Sequence, residues 1–244
     1  MTRVDGRELD QMRDVKITID PLRHAEGSAM IEVGGTKVLC AATLQDRVPM
    51  HRKGTGRGWL TAEYAMLPRC SAQRITRDGV KGKIGGRSAE IQRLIGRVLR
   101  TVVRLDKLGE RQIIIDCDVI EADGGTRTAS VTGGFVALAL AIRRLRKEQK
   151  VGAGILTDFA SAISVGIVEG RPVMDLCYLE DAQAEVDMNV VCTGGGRLLE
   201  VQGTAEQAAC SREEFNTLLD MAQAGCAQLV LAQKEALGID SLEE

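Results

Sequence analysis

The stretch RQIIIDCDVIEADGGTRTASVTGG, residues 111–134, decides the fold of this chain. Its first half alternates in the manner of a strand with one buried face. The residues on that face are Ile113, Ile115, Cys117 and Val119. Two glycines follow at 124 and 125, and an apolar helix is predicted from about 130 to 148. The stretch therefore predicts a strand, a tight turn and a helix.

The turn between this strand and helix has two interpretations. Gly124 and Gly125 let the backbone approach an anion closely, while Thr126 and Arg127 supply a hydroxyl and a guanidinium beside the positive helix end. No G-K-[ST] follows, so the turn is not a Walker loop. The alternative is an ordinary helix start with a threonine as N-cap. The turn alone leaves both interpretations open.

A second glycine-rich helix start lies about forty residues earlier, in GKIGGRSAEIQRL. Gly85 and Gly86 precede Arg87, and a helix follows whose apolar residues recur with helical spacing. These residues are Ile91, Leu94, Ile95, Val98, Leu99, Val102 and Val103. The two arginine-bearing starts are predicted either to converge on one anion or to be independent caps.

The remaining elements indicate an α+β fold. Three strands are predicted over 15–20, 28–35 and 36–44, and residues 46–58 form a basic, aperiodic loop. After glycines 152 and 154 the pattern returns to hairpins, with VMDLCYLED interpreted as a strand, and ends in a helix that begins at SREE. Because strands precede helices twice, α+β is favoured over a doubly wound sheet. The predicted subdomains are 1–150 and 151–244.

Charge is distributed unevenly along the chain. Residues 46–112 contain 16 Lys/Arg and 6 Asp/Glu, a balance of +10, whereas residues 150–244 contain 5 and 16, a balance of −11. A basic region favours a polyanion partner, although the two halves could instead attract each other.

Cysteine usage and hydropathy limit the cellular setting. The seven scattered cysteines are interpreted as buried, reduced thiols. The sequence contains no C-x-x-C motif, so a zinc site is not expected. No apolar run long enough for a membrane span and no signal core is found, so no membrane association is expected and the cytoplasm is the expected location.

The acidic half offers a pair of carboxylates in LEDAQAEVD. Asp181 is predicted to end one strand and Asp187 to lie in the next, with Glu180 and Glu185 nearby. If the two aspartates face each other, they could hold a divalent cation or donate a proton to a leaving oxygen. Surface solvation is the alternative. No Ser-His-Asp arrangement or activated cysteine is found, which favours direct displacement at phosphorus by a bound inorganic phosphate.

Taken together, these stretches resemble the ribonuclease PH family, from RVDGRELDQMR at residues 3–13 through VQGTAE at 201–206. The motifs that carry the resemblance are GWLTAEYAMLPR, EIQRLIGRVLR, DGGTRTASVTGG and VDMNVV. The family includes polynucleotide phosphorylase and the exosome core. The resemblance implies two βαβ-type subdomains like ribosomal protein S5 domain 2, and a hexamer built as a trimer of dimers.

The resemblance also implies an activity and its site. The family removes nucleotides from the 3′ ends of tRNA precursors by phosphorolysis, releases nucleoside diphosphates, and runs in reverse as a nucleotidyltransferase. By position, the phosphate site falls on Arg87, Gly125, Thr126 and Arg127, with inorganic phosphate as co-substrate. Asp181 and Asp187 become the pair for Mg²⁺ and proton transfer, and Arg127 joins them as a catalytic residue.

Other features of the resemblance concern RNA. Arg69, Arg74 and Arg77 correspond to the RNA-handling and assembly surface, and the loop 47–57 is a candidate RNA guide. In DLCYLED, Cys177 stands where the family often has an acidic residue, which puts a third carboxylate ligand in doubt.

Two other functions are alternatives to phosphorolysis. A non-catalytic RNA-binding ring subunit is disfavoured because the two arginines and two aspartates are all present. A small-molecule kinase would need a convincing glycine- and serine-rich ATP loop, and the sequence supplies none.

Overall fold

Two β-sheets with helices packed on them make up the chain, in a computed structural model that describes residues 3–207 and 209–242. The first sheet has the strand order β1-β2-β3-β5-β4. Its strands are β1 (Val15–Ile19), β2 (Gly27–Val33), β3 (Thr36–Gln45), β4 (Trp59–Met66) and β5 (Gln112–Glu121). Strands β4 and β5 are parallel and the other pairs are antiparallel.

The second sheet has the order β7-β6-β8-β9, and its pairs are antiparallel. Its strands are β6 (Ala160–Val168), β7 (Arg171–Met174), β8 (Val186–Thr193) and β9 (Leu198–Ala205). Strands followed by helices in each half confirm the α+β prediction. The boundary between subdomains near residue 151 stays a prediction, and its outer limits at residues 1 and 244 lie outside the described residues.

The helices are α1 (Gly86–Thr101), α2 (Leu105–Leu108), α3 (Thr126–Lys147), α4 (Tyr178–Asp181) and α5 (Arg212–Leu237). Helix α1 is the crossover between the parallel strands β4 and β5. The capping box predicted at the start of α5 is confirmed, since Ser211 and Glu214 each accept a hydrogen bond from the other's backbone N–H.

Helix α3 is the central element of the core. It packs on β2 and β3 of the first sheet and on β6 of the second. Among the described residues it alone is long and apolar enough to cross a membrane, but 89% of its most apolar window is buried inside the protein. It begins at Thr126, one turn before the predicted start, because Gly125 rather than a later residue is its N-cap.

Arginines near the start of the chain fasten the segment between β7 and α4. Arg13 forms a buried ion pair with Asp175 at 2.7 Å, and Arg3 forms one with Glu180 at 2.7 Å. Arg13 also donates to the main-chain oxygen of Asp123, in the turn before α3. We call Arg3, Arg7 and Arg13 with their two acidic partners, Asp175 and Glu180, the arginine clamp.

The prediction that VMDLCYLED is a single strand is wrong. Strand β7 ends at Met174, Asp175 adopts a left-handed backbone conformation with φ of 54°, and α4 follows. Asp181 therefore ends a one-turn helix and not a strand. The clamp explains the difference, because its ion pairs hold Asp175 and Glu180 and so impose a turn that the strand pattern does not reveal.

Two other predictions concern the cysteines and the basic loop 46–58. All seven cysteines are free, and six of them are buried, as predicted. The basic loop 46–58 is irregular apart from a 3₁₀ turn at Met50–Arg52, and the Arg52 guanidinium lies 4.6 Å from the centre of the Trp59 ring.

Candidate active site

Two helices begin at the site, each with a glycine as its N-cap, although the two glycines differ in backbone conformation. Helix α3 has Gly125 as N-cap, with φ of 65°, and helix α1 has Gly85. Neither start has a side-chain cap, so the alternative of a threonine N-cap on α3 is wrong. Arg87 and Arg127 each occupy the second helical position. Both helix starts thus combine a positive helix end with a guanidinium.

Gly124 allows the turn before α3 to touch the backbone that leads into α4. A Cβ at this position would lie 2.6 Å from the main-chain oxygen of Leu176 and 2.8 Å from the nitrogen of Tyr178. Its φ of 75° also belongs to the left-handed region that favours glycine. The close approach places α4, which carries Asp181, against the turn that carries Arg127.

The hydroxyl of Thr126 is held by a hydrogen bond from Tyr64 of β4. The Tyr64 hydroxyl donates to Thr126 Oγ1 at 2.9 Å, and both residues are buried. Burial raises the pKa of Tyr64, so the phenol keeps the proton that it donates. Because one lone pair of Thr126 Oγ1 is occupied, its own O–H is directed elsewhere as a donor.

Arg127 is held by partners from two other elements. Its Nη1 donates to Gln202 Oε1 on β9 at 2.8 Å and lies 3.5 Å from Glu90 Oε2 on α1. Gln202 Nε2 in turn donates to Glu90 at 3.0 Å and to Glu200 at 3.1 Å. Glu200 also pairs with Arg97, so a network of charges joins α1, α3 and β9.

Asp181 is close enough to Asp187 for its charge to affect the ionisation of Asp187. Burial raises the pKa of Asp187 to about 6, the charge of Asp181 adds to the rise, and the charges of Arg127 and Arg87 oppose it. Partial desolvation also raises the pKa of Asp181, against the effect of Arg87 and Arg127. The two arginines and two aspartates predicted from the sequence therefore share one electrostatic environment.

Four residues of this environment were missed by sequence reasoning: Tyr64, Glu90, Gln202 and Glu206. The charge of Glu206 raises the pKa of both aspartates. The antiparallel register of β8 and β9 pairs Asp187 with Thr204 and Asn189 with Gln202. Alternation from Asp187 and Asn189 across the predicted hairpin would therefore have pointed to Gln202. No comparable local signal marks Tyr64 or Glu90.

The two other carboxylates near the pair in sequence have different surroundings. Glu180 is buried in the arginine clamp. Burial raises its pKa, but the hydrogen bonds to Arg3 and the charge of Arg7 outweigh this effect, so the pKa lies below its usual value. Glu185 accepts from the main-chain nitrogen of Gly170 at 2.9 Å. Cys177 is the N-cap of α4, a position that suits an aspartate for reasons of helix capping. Helix capping alone would therefore explain a preference for an acidic residue at position 177, without a role as metal ligand.

Arg69, Arg74 and Arg77 lie in the segment between β4 and α1, and all three are exposed. Partial burial raises the pKa of Asp118, and the charge of Arg77 opposes the rise. The Asp118 side chain alternates with the buried Cys117 and Val119 and so lies on the outer face of the first sheet. Arg77 thus reaches the outer face of the sheet, whereas the charges of Arg87 and Arg127 act on the aspartate pair.

The donor set fits a hard divalent cation that is shared with a phosphate. Asp181 and Asp187 supply carboxylate oxygens. The raised pKa of Asp187 reflects first its burial and then the charge of Asp181, and a cation beside the pair would stabilise both carboxylates in their ionised form. Within residues 3–207 and 209–242 no group of three or more His, Cys, Asp or Glu side chains could hold a metal alone. Mg²⁺ commonly binds one or two carboxylates together with substrate phosphates.

Models of a known protein family match most of the chain. Domain 1 of the 3′ exoribonuclease family matches residues 11–143, and domain 2 of that family matches residues 158–225. The chain is 56% identical over 237 residues to proteins named ribonuclease PH from Bacillus cereus and Bacillus anthracis, covering 97% of each chain.

Solved structures share the fold at lower identity. Rrp46 from rice has a TM-score of 0.77 at 19% identity, covering 96% of this chain and 100% of that chain. A chain of the Archaeoglobus fulgidus exosome, solved with RNA bound to the active site, has a TM-score of 0.76 at 21% identity. The latter match covers 94% of this chain and 92% of the exosome chain.

Proposed function

The chain belongs to the 3′ exoribonuclease family that includes ribonuclease PH, and on this basis we propose that Arg87, Arg127, Asp181 and Asp187 form its active site. The enzyme is a phosphorolytic exoribonuclease and tRNA nucleotidyltransferase, which shortens RNA from the 3′ end with inorganic phosphate. The observation that carries the site assignment is the close backbone contact at Gly124, which brings α4 with Asp181 against the start of α3 with Arg127. The effect of both arginine charges on the pKa values of Asp181 and Asp187 supports it.

The phosphate site supplies the attacking group. Arg127, with Arg87 on the neighbouring helix start, binds inorganic phosphate, and the Thr126 hydroxyl and the N–H groups of the first turn of α3 donate to its oxygens. A phosphate oxygen attacks the terminal phosphodiester in line. The bond from phosphorus to the 3′ oxygen of the penultimate nucleotide breaks, which releases a nucleoside diphosphate and an RNA shortened by one residue.

The aspartate pair supports the departure of the 3′ oxygen. With a pKa of about 6, Asp187 is protonated in a fraction of the molecules near neutral pH, and in these it can protonate the leaving oxygen. Asp181 and Asp187 would hold Mg²⁺ together with the phosphates, and the chemistry that such a cation would supply is neutralisation of charge on the transferring group. Asp187 donates the proton when no cation is bound to the pair, and it serves as a cation ligand when it is ionised.

The RNA and the assembly complete the proposal. The substrates are tRNA precursors and other structured RNA 3′ ends, with Arg69, Arg74 and Arg77 along the path of the RNA and the cytoplasm as the site of action. The chain forms a homo-oligomeric ring, a hexamer arranged as a trimer of dimers. Val4, 63% exposed, and Leu179, 55% exposed, line one apolar groove and support an interface between copies.

The activity is tested with a tRNA precursor, in the presence and absence of inorganic phosphate, by chromatographic separation of the nucleotide products. We expect shortening only with phosphate, and nucleoside diphosphates as products. Nucleoside monophosphates formed without phosphate would mean hydrolysis and would overturn the proposal.

The same assay tests Arg127. Arg127→Ala is expected to abolish activity or to raise the phosphate concentration needed by tenfold or more, since alanine cannot make the charge-assisted bidentate hydrogen bonds of a guanidinium. Circular dichroism should show an intact fold. An unchanged phosphate dependence would remove Arg127 from the site.

A further inference from the structure

Gln202 occupies an unusual position, between one guanidinium and two carboxylates. Its Oε1 accepts from Arg127 Nη1 at 2.8 Å, while its Nε2 donates to Glu90 Oε1 at 3.0 Å and Glu200 Oε1 at 3.1 Å. These partners also define which end of the amide is oxygen, because only oxygen can accept from arginine and only nitrogen can donate to carboxylates.

The contact selects one edge of the Arg127 guanidinium. Nη1 is engaged by Gln202 and lies 3.5 Å from Glu90. The opposite edge, formed by Nε and Nη2, is therefore the pair of parallel donors available for a bidentate contact with an anion. The Arg127 side chain is 18% exposed, so its freedom to turn is already small.

Gln202 also links the Arg127 guanidinium to two carboxylates without adding a charge of its own. Glu90 and Glu200 both lie within hydrogen-bond distance of its amide nitrogen, and Glu200 is bound to Arg97 at 2.8 Å. A neutral amide accepts from the cation and donates to the anions without adding charge beside a phosphate site. A carboxylate at position 202 would accept from Arg127 but could not donate to Glu90 or Glu200.

We infer that Gln202 is a positioning residue of the phosphate site, which fixes Arg127 so that its Nε–Nη2 edge faces the attacking phosphate. This inference rests on the proposed function. It assigns to β9, in the second sheet, a part in binding a phosphate whose direct ligands are on the helices of the first. Glu90 supports Gln202 from α1, at the residue one turn beyond Arg87.

The first test is Gln202→Met, which keeps the length of the side chain and removes its hydrogen bonds. We expect the KM for inorganic phosphate to rise about tenfold, the scale of one charge-assisted hydrogen bond, with kcat and the KM for RNA changed less than about twofold. Gln207→Met, at an exposed position beyond β9, is the matched control and should behave as wild type.

The second test is Gln202→Glu, which should give a readout that a merely structural role would not move. Protonated, the new carboxylic acid can donate as the amide does, whereas ionised it repels Glu90 and Glu200. The ratio of the variant KM for phosphate to the wild-type KM, measured between about pH 5.5 and pH 8, should therefore increase with pH. Taking the ratio removes the titration of phosphate itself.

The outcomes separate this inference from the proposed function. If wild-type enzyme shortens RNA without phosphate, the proposed function fails whatever Gln202 does. If wild-type enzyme requires phosphate but Gln202→Met keeps the wild-type KM for phosphate, only the positioning role is overturned. A deterioration of kcat and of both KM values together, with a lowered Tm, would also overturn it, because that pattern indicates damage to the fold.

Discussion

At the scale of single residues, the carboxyl group of Asp187 is the most perturbed acid of the proposed site. Its pKa is raised from 3.8 to about 6, first by burial and then by the charge of Asp181. The folded protein therefore binds this proton more tightly than the unfolded chain does. Ionisation of Asp187 costs stability, and the cost is the reason that a cation is favoured beside it.

Asp187→Asn is expected to stabilise the metal-free protein in a pH-dependent way. Below about pH 4 wild type and variant should be equally stable, because Asp187 is protonated in both folded and unfolded states. The wild-type penalty grows between about pH 4 and pH 6 and is complete above pH 6. There the variant should gain on the order of 2 kcal/mol in the free energy of unfolding, measured by urea denaturation with a chelator present.

The matched control for this prediction is Asp220→Asn, at an exposed aspartate on α5. It should leave the pH dependence of stability unchanged. If Asp187→Asn behaves in the same way, the carboxyl of Asp187 is not strained in the folded protein. In activity assays Asp187→Asn should lose most of its kcat, since neither a cation ligand nor a proton donor remains.

At the scale of elements, the contact between the turn before α3 and helix α4 depends on one missing side chain. Gly124→Ala would put a Cβ 2.6 Å from the oxygen of Leu176 at a φ of 75°. We expect a loss of about 2–4 kcal/mol in the free energy of unfolding, from left-handed strain and a backbone clash. Because α4 carries Asp181, kcat should fall by tenfold or more under conditions where the variant remains folded.

Gly170→Ala separates strain from clash. Gly170 has a φ of 69°, similar to that of Gly124, but an added Cβ would meet nothing within 4 Å. This variant should lose only about 1–2 kcal/mol and keep its activity. Equal behaviour of the two alanine variants, in urea denaturation and in phosphorolysis, would contradict the role given to the contact at Gly124.

The long elements could be predicted from sequence because their patterns repeat. Strand β5 alternates over ten residues, and α1 presents an apolar stripe. Helix α4 has four residues, too few for a helical period, and its position is set by ion pairs with residues about 170 positions away. The site follows the same division. Arg127 and Asp187 have side chains whose chemistry the sequence already ties to phosphate or metal binding. Glu90 and Tyr64 also lie in motifs that carry the family resemblance, but only the tertiary fold shows that they contact Arg127 and Thr126.

At the scale of the whole molecule, the uneven charge distribution gives a prediction about RNA. Replacing Arg69, Arg74 and Arg77 by alanine should weaken RNA binding, and the slope of log affinity against log salt should become shallower by about 2, near 0.7 for each RNA phosphate that an arginine no longer neutralises. The KM for inorganic phosphate should not change. Fluorescence anisotropy with a labelled RNA at several salt concentrations measures the affinity and its slope, and phosphorolysis assays measure the KM.

A triple replacement in the acidic half controls for total charge. Lys150, Arg197 and Arg212 are exposed and lie outside the proposed RNA path, so their change to alanine removes the same net charge. If both triple variants alter the salt dependence equally, the effect is one of net charge and the proposed RNA path through residues 69–77 is wrong.

The arginine clamp has a consequence for the order in which the protein is made. Arg3 and Arg13 are synthesised before their partners Glu180 and Asp175, which follow 177 and 162 residues later. While the first sheet is being synthesised on the ribosome, these guanidinium groups do not yet have their acidic partners. The contact that seats α4 therefore forms only after residue 181 has been synthesised. Under the proposed site assignment, a nascent chain that already contains Arg87 and Arg127 still lacks the aspartate pair and leaves RNA uncut.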